Sequence, residues 1–156
     1  MNAATYQPAG YTTLTPFLCV EPAAKAIEFY IEVFGARLVS KMDAPNGGIA
    51  HAELEFDNGR LQLGDPAEAY GIAAHDPAKP ATSSMAIYVP DCDATTIAAE
   101  QAGATVREQP STFVTGDRFA SILDPFGVRW SVMTRVEEVS DEEAERRVNE
   151  WLAGQG

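Results

Sequence analysis

The chain has 156 residues, 46% of them hydrophobic, and a formal net charge of −12. That length and apolar content can bury one sizeable core, while the acidic balance argues against a nucleic-acid partner, which needs a basic face. No apolar run reaches the length of a membrane span and the amino terminus lacks a signal-peptide pattern, so a cytoplasmic protein with no membrane partner is expected. The two cysteines, Cys19 and Cys92, have no metal-type spacing and read as buried free thiols.

Residues 1–12 mix Gln, Pro, Gly and small residues and read as a flexible lead-in. Thr13–Val20 reads as a strand. Pro22–Phe34 reads as a helix, with Ala23, Ile27, Tyr30, Val33 and Phe34 along one face. Pro22 suits its first turn and Gly35 its C-terminal stop. Strands follow at Arg37–Met42, Ile49–Phe56 and Arg60–Gly64, the last two joined by the hairpin signal Asp57-Asn58-Gly59. Residues 66–83 are rich in Ala, Pro and Gly and read as a linker placed to cover a site.

The second half repeats this β-α-β-β-β order. Its strands are Ser84–Val89, Thr105–Glu108, Phe119–Leu123 and Val128–Thr134, and its helix is Asp93–Ala102, capped by Asp91 or Asp93. The glycines keep step: Gly35 with Gly103, and Gly59 with Gly127, each sit at the same offset. One unit therefore occurs twice, over 13–65 and 84–136, within a single domain spanning 13–136. In the tail, 137–156, Ser140 and Glu143 fit a capping box ahead of a helix over Asp141–Leu152. Trp151 is positioned to dock that helix on the body or on a partner subunit.

Strand alternation sorts the side chains by face. In Ile49–Phe56, residues Ala50, Ala52, Leu54 and Phe56 should face the helix, leaving His51, Glu53 and Glu55 on the opposite side. In the next strand Leu61 and Leu63 should pack inward, leaving Arg60 and Gln62 on that same opposite side.

The segments Leu14–Val20, Ala26–Tyr30, Phe34–Ala36, His51–Leu54, Gly116–Phe119 and Asp124–Gly127 resemble the vicinal oxygen chelate superfamily, which includes glyoxalase I, bleomycin-resistance proteins and extradiol dioxygenases. With the trailing segment Val136–Ser140, the chain is most similar to its PhnB-like branch. The resemblance implies an α+β fold of two tandem βαβββ modules, forming a curled mixed sheet around a cleft with helices on the convex side. It also implies a homodimer. Metal-dependent members carry one ligand on each of four strands, and the matching positions here are Thr15, Gln62, Ser84 and Ser131. None is His, Glu or Asp, so neither the family metal nor another cofactor is expected.

His51 and Glu53 could form an acid–base pair, or could be hydrogen-bonded structural residues bridging strands. Asp117 and Arg118 could bind a polar ligand at the cleft mouth, or form a loop salt bridge. Phe17, Tyr88, Phe119 and Met133 offer apolar walls to a flat ligand, although aromatic residues on strands also serve as core. Trp130 should point into the core if Ser131 faces the cleft. The resemblance to the bleomycin-resistance members, which also lack the metal ligands, implies metal-free binding and sequestration of a small organic molecule, with Glu53 and Glu55 beside aromatic walls suiting a cationic or aromatic compound. The alternatives are a lyase, isomerase or dioxygenase of the same superfamily using relocated ligands or His51 as general base, and an interaction module built on the C-terminal helix.

Overall fold

The computed structural model describes residues 5–76 and 78–155, and the chain divides into two units, 1–80 and 81–156. Both units have the expected βαβββ order, each built on a four-stranded mixed sheet.

In unit one the elements are β1 (Phe17–Cys19), α1 (Ala23–Phe34), β2 (Arg37–Asp43), β3 (Ile49–Glu55) and β4 (Arg60–Gly64), with strand order β1-β4-β3-β2. Strand β1 runs parallel to β4, and the other two pairs are antiparallel. Helix α1 lies against β2 and β3 and buries Ala23, Ala26, Ile27, Phe29, Tyr30 and Val33, a stripe at helical spacing. Across from it Ala52, Leu54, Leu61 and Leu63 are all buried. Gly35 closes the helix in the left-handed region, at φ 67°, where its N–H reaches the Ile31 carbonyl.

Pro22 offers no side-chain cap to α1. Asp65, at the far end of β4, supplies the missing acceptor: its carboxylate takes the Ala23 N–H at 2.9 Å and the Ile49 N–H at 2.7 Å. One side chain thus ties the helix start to β3 and satisfies two backbone donors. Gly64 beside it has no room for a side chain, because a Cβ there would stand 2.8 Å from the Ala50 carbonyl oxygen.

Two expectations for this unit are corrected. The first strand is only Phe17–Cys19, because the hydroxyls of Thr12 and Thr15 bond to local carbonyls, those of Leu14 and Thr12, and hold the preceding residues in turns. Ala50 is exposed, not buried. The β2–β3 register passes from Met42↔His51 to Asp43↔Ile49, so Ala50 sits in a bulge and Ile49 takes the buried place.

Unit two comprises β5 (Ser84–Tyr88), α2 (Cys92–Gln101), β6 (Thr105–Thr112), β7 (Asp117–Leu123), β8 (Arg129–Arg135) and α3 (Asp141–Ala153), with strand order β5-β8-β7-β6. Asp91 caps α2 by accepting the Ala94 N–H at 2.9 Å. Ala120, Ile122, Trp130 and Val132 form the buried side of the sheet, and α2 packs against β6, β7 and β8. Asp124 organises the last turn, accepting the N–H groups of Phe126 and Val128 and the Trp130 indole N–H, each at 2.9 Å. Strand β6 runs four residues beyond the expected Glu108, to Thr112. It passes Pro110 at a register shift, which an edge strand tolerates. Ser140 caps α3 through the Glu143 N–H. The helix docks on its own unit, where Trp151 meets Phe113 edge-on at 5.3 Å and Arg147 pairs with Glu137 at 2.9 Å. Cys92 is buried, whereas Cys19 is only half-buried.

Candidate functional site

The face of unit one turned away from α1 carries a connected polar cluster. Register places Phe17 beside Gln62, Gln62 beside Glu53, and Arg60 beside Glu55. His51 lies two residues before Glu53, on the same side of β3. At the centre is Glu53, whose side chain is only 14% exposed. Its Oε1 faces His51 Nε2 at 3.4 Å and accepts from Gln62 Nε2 at 3.3 Å, while Oε2 accepts from Arg60 at 3.2 Å. The Glu53 pKa is lowered, first by the Tyr11 hydroxyl and then by His51 and Gln62, against an opposing burial effect. Glu53 is therefore an ionised carboxylate surrounded by donors.

Glu55 is likewise engaged, by Arg37 and by Arg60 at 3.3 Å, and the Arg37 hydrogen bond is the first cause of its lowered pKa. The two carboxylates of the expected acidic row thus face two guanidinium groups. Arg60 is itself covered by Tyr11, with its guanidinium carbon 4.5 Å from the ring centroid. Phe17 stands at the other end of the cluster, its ring 5.9 Å from the His51 ring at 36°. A polar groove of about 450 Å³ opens between Gly10–Thr12 and the β3–β4 hairpin. It contains none of Phe17, His51 and Gln62, so it borders the cluster without being its centre.

In unit two, alternation puts Tyr88, Asp117, Phe119, Ser131 and Met133 on one face: Tyr88 and Phe119 both lie beside Met133. Asp117 is buried, 3.0 Å from the Arg135 guanidinium and 3.5 Å from the Tyr88 hydroxyl. Ser121, also on this face, is fully buried and its hydroxyl has no partner among the described residues. Arg118 points to the other face and grips Asp93 of α2 through both Nε and Nη2. Adjacent strand residues cannot share a side, so Asp117 and Arg118 are separated by the sheet. Ser84 is exposed and accepts from Arg129 at 2.8 Å.

The four positions matching the family's metal ligands do not fit a metal. Thr15 lies before β1 and spends its hydroxyl on the Thr12 carbonyl at 3.4 Å, Gln62 turns its amide N–H₂ to Glu53, and Ser84 and Ser131 bring hydroxyls only. Among the described residues no group of three or more His, Cys, Asp and Glu side chains could hold an ion.

Tyr11, Arg37 and Arg135 were not singled out from the sequence. Arg37 and Arg135 become visible once register is known, since each pairs across strands. Tyr11 sits in a stretch without periodicity and carried no local signal.

Residues 10–132 match the family model of the Glyoxalase/Bleomycin resistance protein/Dioxygenase superfamily, and the chain belongs to that superfamily. An uncharacterised protein of Mycobacterium bovis is 34% identical over 133 residues, covering 83% of this chain and 88% of its own length. A Mycobacterium tuberculosis protein, also uncharacterised, has the same identity over 83% of this chain and 78% of its own. Among solved structures, TioX from a Micromonospora species superposes with a TM-score of 0.62 at 22% identity, covering 80% of this chain and 98% of its own. Glyoxalase I from Zea mays gives a TM-score of 0.62 at 22% identity, over 80% of this chain and 44% of the maize chain. Those two likenesses establish the fold. Among the described residues no helix is long and apolar enough to cross a membrane.

Proposed function

We propose that this protein binds a small organic molecule on the face of unit one formed by Phe17, His51, Glu53 and Gln62, without the family's metal, and sequesters the molecule without converting it. The observation that supports this most is the state of Glu53, a carboxylate facing donors from three side chains, His51, Arg60 and Gln62. It braces His51 and Gln62 beside an exposed aromatic ring and is not left free as an acid or base. Of the two ligand types suggested by composition, the aromatic one is favoured, because Glu53 and Glu55 already face Arg60 and Arg37. Tyr88, Asp117, Phe119, Ser131 and Met133 are proposed as ligand contacts on unit two's own face, and a homodimer in the cytoplasm and membership of the PhnB-like branch belong to the same proposal.

An NMR screen of aromatic fragments tests it. Saturable shifts at Phe17 and His51, lost in His51→Ala, are expected; no saturable shift with any fragment would contradict it. A second reading, an enzyme with His51 as general base, draws on the Glu53 carboxylate at His51 Nε2, a contact that orients catalytic imidazoles. It requires turnover that collapses in His51→Ala.

A further inference from the structure

The donors around Glu53 also determine what their other ends present. An ionised carboxylate only accepts hydrogen bonds, so every group facing it must offer a hydrogen. In the neutral imidazole of His51 the proton therefore sits on Nε2, which faces Glu53 Oε1, and the lone pair is on Nδ1. For Gln62 the amide nitrogen is turned to Glu53, which leaves its carbonyl oxygen, Oε1, as the outward atom. Among the described residues neither His51 Nδ1 nor Gln62 Oε1 is engaged. Two acceptors thus stand beside the Phe17 ring, which is 39% exposed.

Charge narrows the ligand further. Arg37 and Arg60 offset Glu55 and Glu53, so a cation finds no unpaired carboxylate, and an anion would meet two lone pairs. We infer that this face selects neutral aromatic molecules carrying an O–H or N–H group, which donates to His51 Nδ1 or Gln62 Oε1 while the ring rests on Phe17. The inference rests on the reading of this face as a binding site and names its ligand class.

The test is titration of the full chain with phenol, anisole, indole, N-methylindole and phenyltrimethylammonium, followed through the Gln62 amide and His51 imidazole NMR signals. Phenol and indole are expected to bind about tenfold more tightly than their methylated partners, the worth of one net hydrogen bond. In Gln62→Met that gap is expected to shrink. Equal binding of methylated and unmethylated ligands, or tightest binding of the ammonium compound, would overturn the selectivity while leaving the binding site standing. No saturable shift with any of the five would overturn both. Independently of any ligand, nitrogen-correlated spectra that place the neutral His51 proton on Nδ1 would also overturn the inference.

Discussion

Tyr11 lies over Arg60, with the guanidinium carbon 4.5 Å from the ring centroid, and is the first cause of the lowered Glu53 pKa. A residue of the lead-in therefore acts on both members of the central ion pair of unit one. Tyr11→Phe keeps the ring and removes the hydroxyl, so the Glu53 pKa should rise towards its ordinary value. Tyr11→Ala should also forfeit the cation–π contact, about 0.5–1 kcal/mol. Carboxyl NMR titration reads the first effect and thermal unfolding the second. An unshifted Glu53 titration in Tyr11→Phe would show that the hydroxyl is not its partner.

Acid should unfold the chain through carboxylates held by donors. Tyr11 lowers the Glu53 pKa, Arg37 that of Glu55, Arg118 that of Asp93 and Arg147 that of Glu137, while Arg146 and Arg147 hold Glu143 at about 2. A carboxylate with a depressed folded-state pKa stabilises fully above its unfolded value, near 4 for Asp and Glu in order-of-magnitude terms, and that contribution is lost as pH falls through the folded value. The urea midpoint should stay level between about pH 7 and about pH 5 and then decline towards about pH 2. Glu143→Gln should lessen the decline at its lowest end.

Gly64→Ala should destabilise unit one by about 1–3 kcal/mol, the usual range for overpacking. The added Cβ would meet the Ala50 carbonyl oxygen at 2.8 Å, and Ala50 belongs to a bulge that the β2–β3 register cannot easily absorb. Denaturant unfolding measures this, and unchanged stability would mean that the bulge yields.

Asp65→Ala should leave the N–H groups of Ala23 and Ile49 without their acceptor, at a cost of about 2 kcal/mol. Asp65→Asn, which keeps one acceptor oxygen, should fall between it and the parent. Hydrogen exchange at Ala23 and Ile49 locates the effect.

Much of the fold was legible because local chemistry and tertiary packing agree. Gly35 stops α1 where a left-handed residue is needed, Asp57-Asn58-Gly59 turns β3 into β4, and alternation separates Leu54 and Leu61 from Glu53 and Arg60. The bulge at Ala50 was not legible, because a period-two pattern gives no sign of an inserted residue. The cap on α1 was hidden for another reason: Asp65 lies 42 residues from the Ala23 N–H it accepts. In the site, His51, Glu53 and Gln62 could be placed on one face from sequence alone, but the neutralisation of the acidic row depends on which arginine each carboxylate meets across the strands. Arg118 shows the limit of reading a dipeptide as a unit, since alternation sends it to Asp93 and leaves Asp117 to Arg135.

The most direct test of metal-free binding is the metal content of protein purified without chelator or metal-affinity resin, followed by thermal unfolding with added zinc, nickel, manganese and iron. The account predicts no stoichiometric ion and no stabilisation by any of the four. One divalent ion per chain, lost in His51→Ala, would contradict it and put the enzyme reading first.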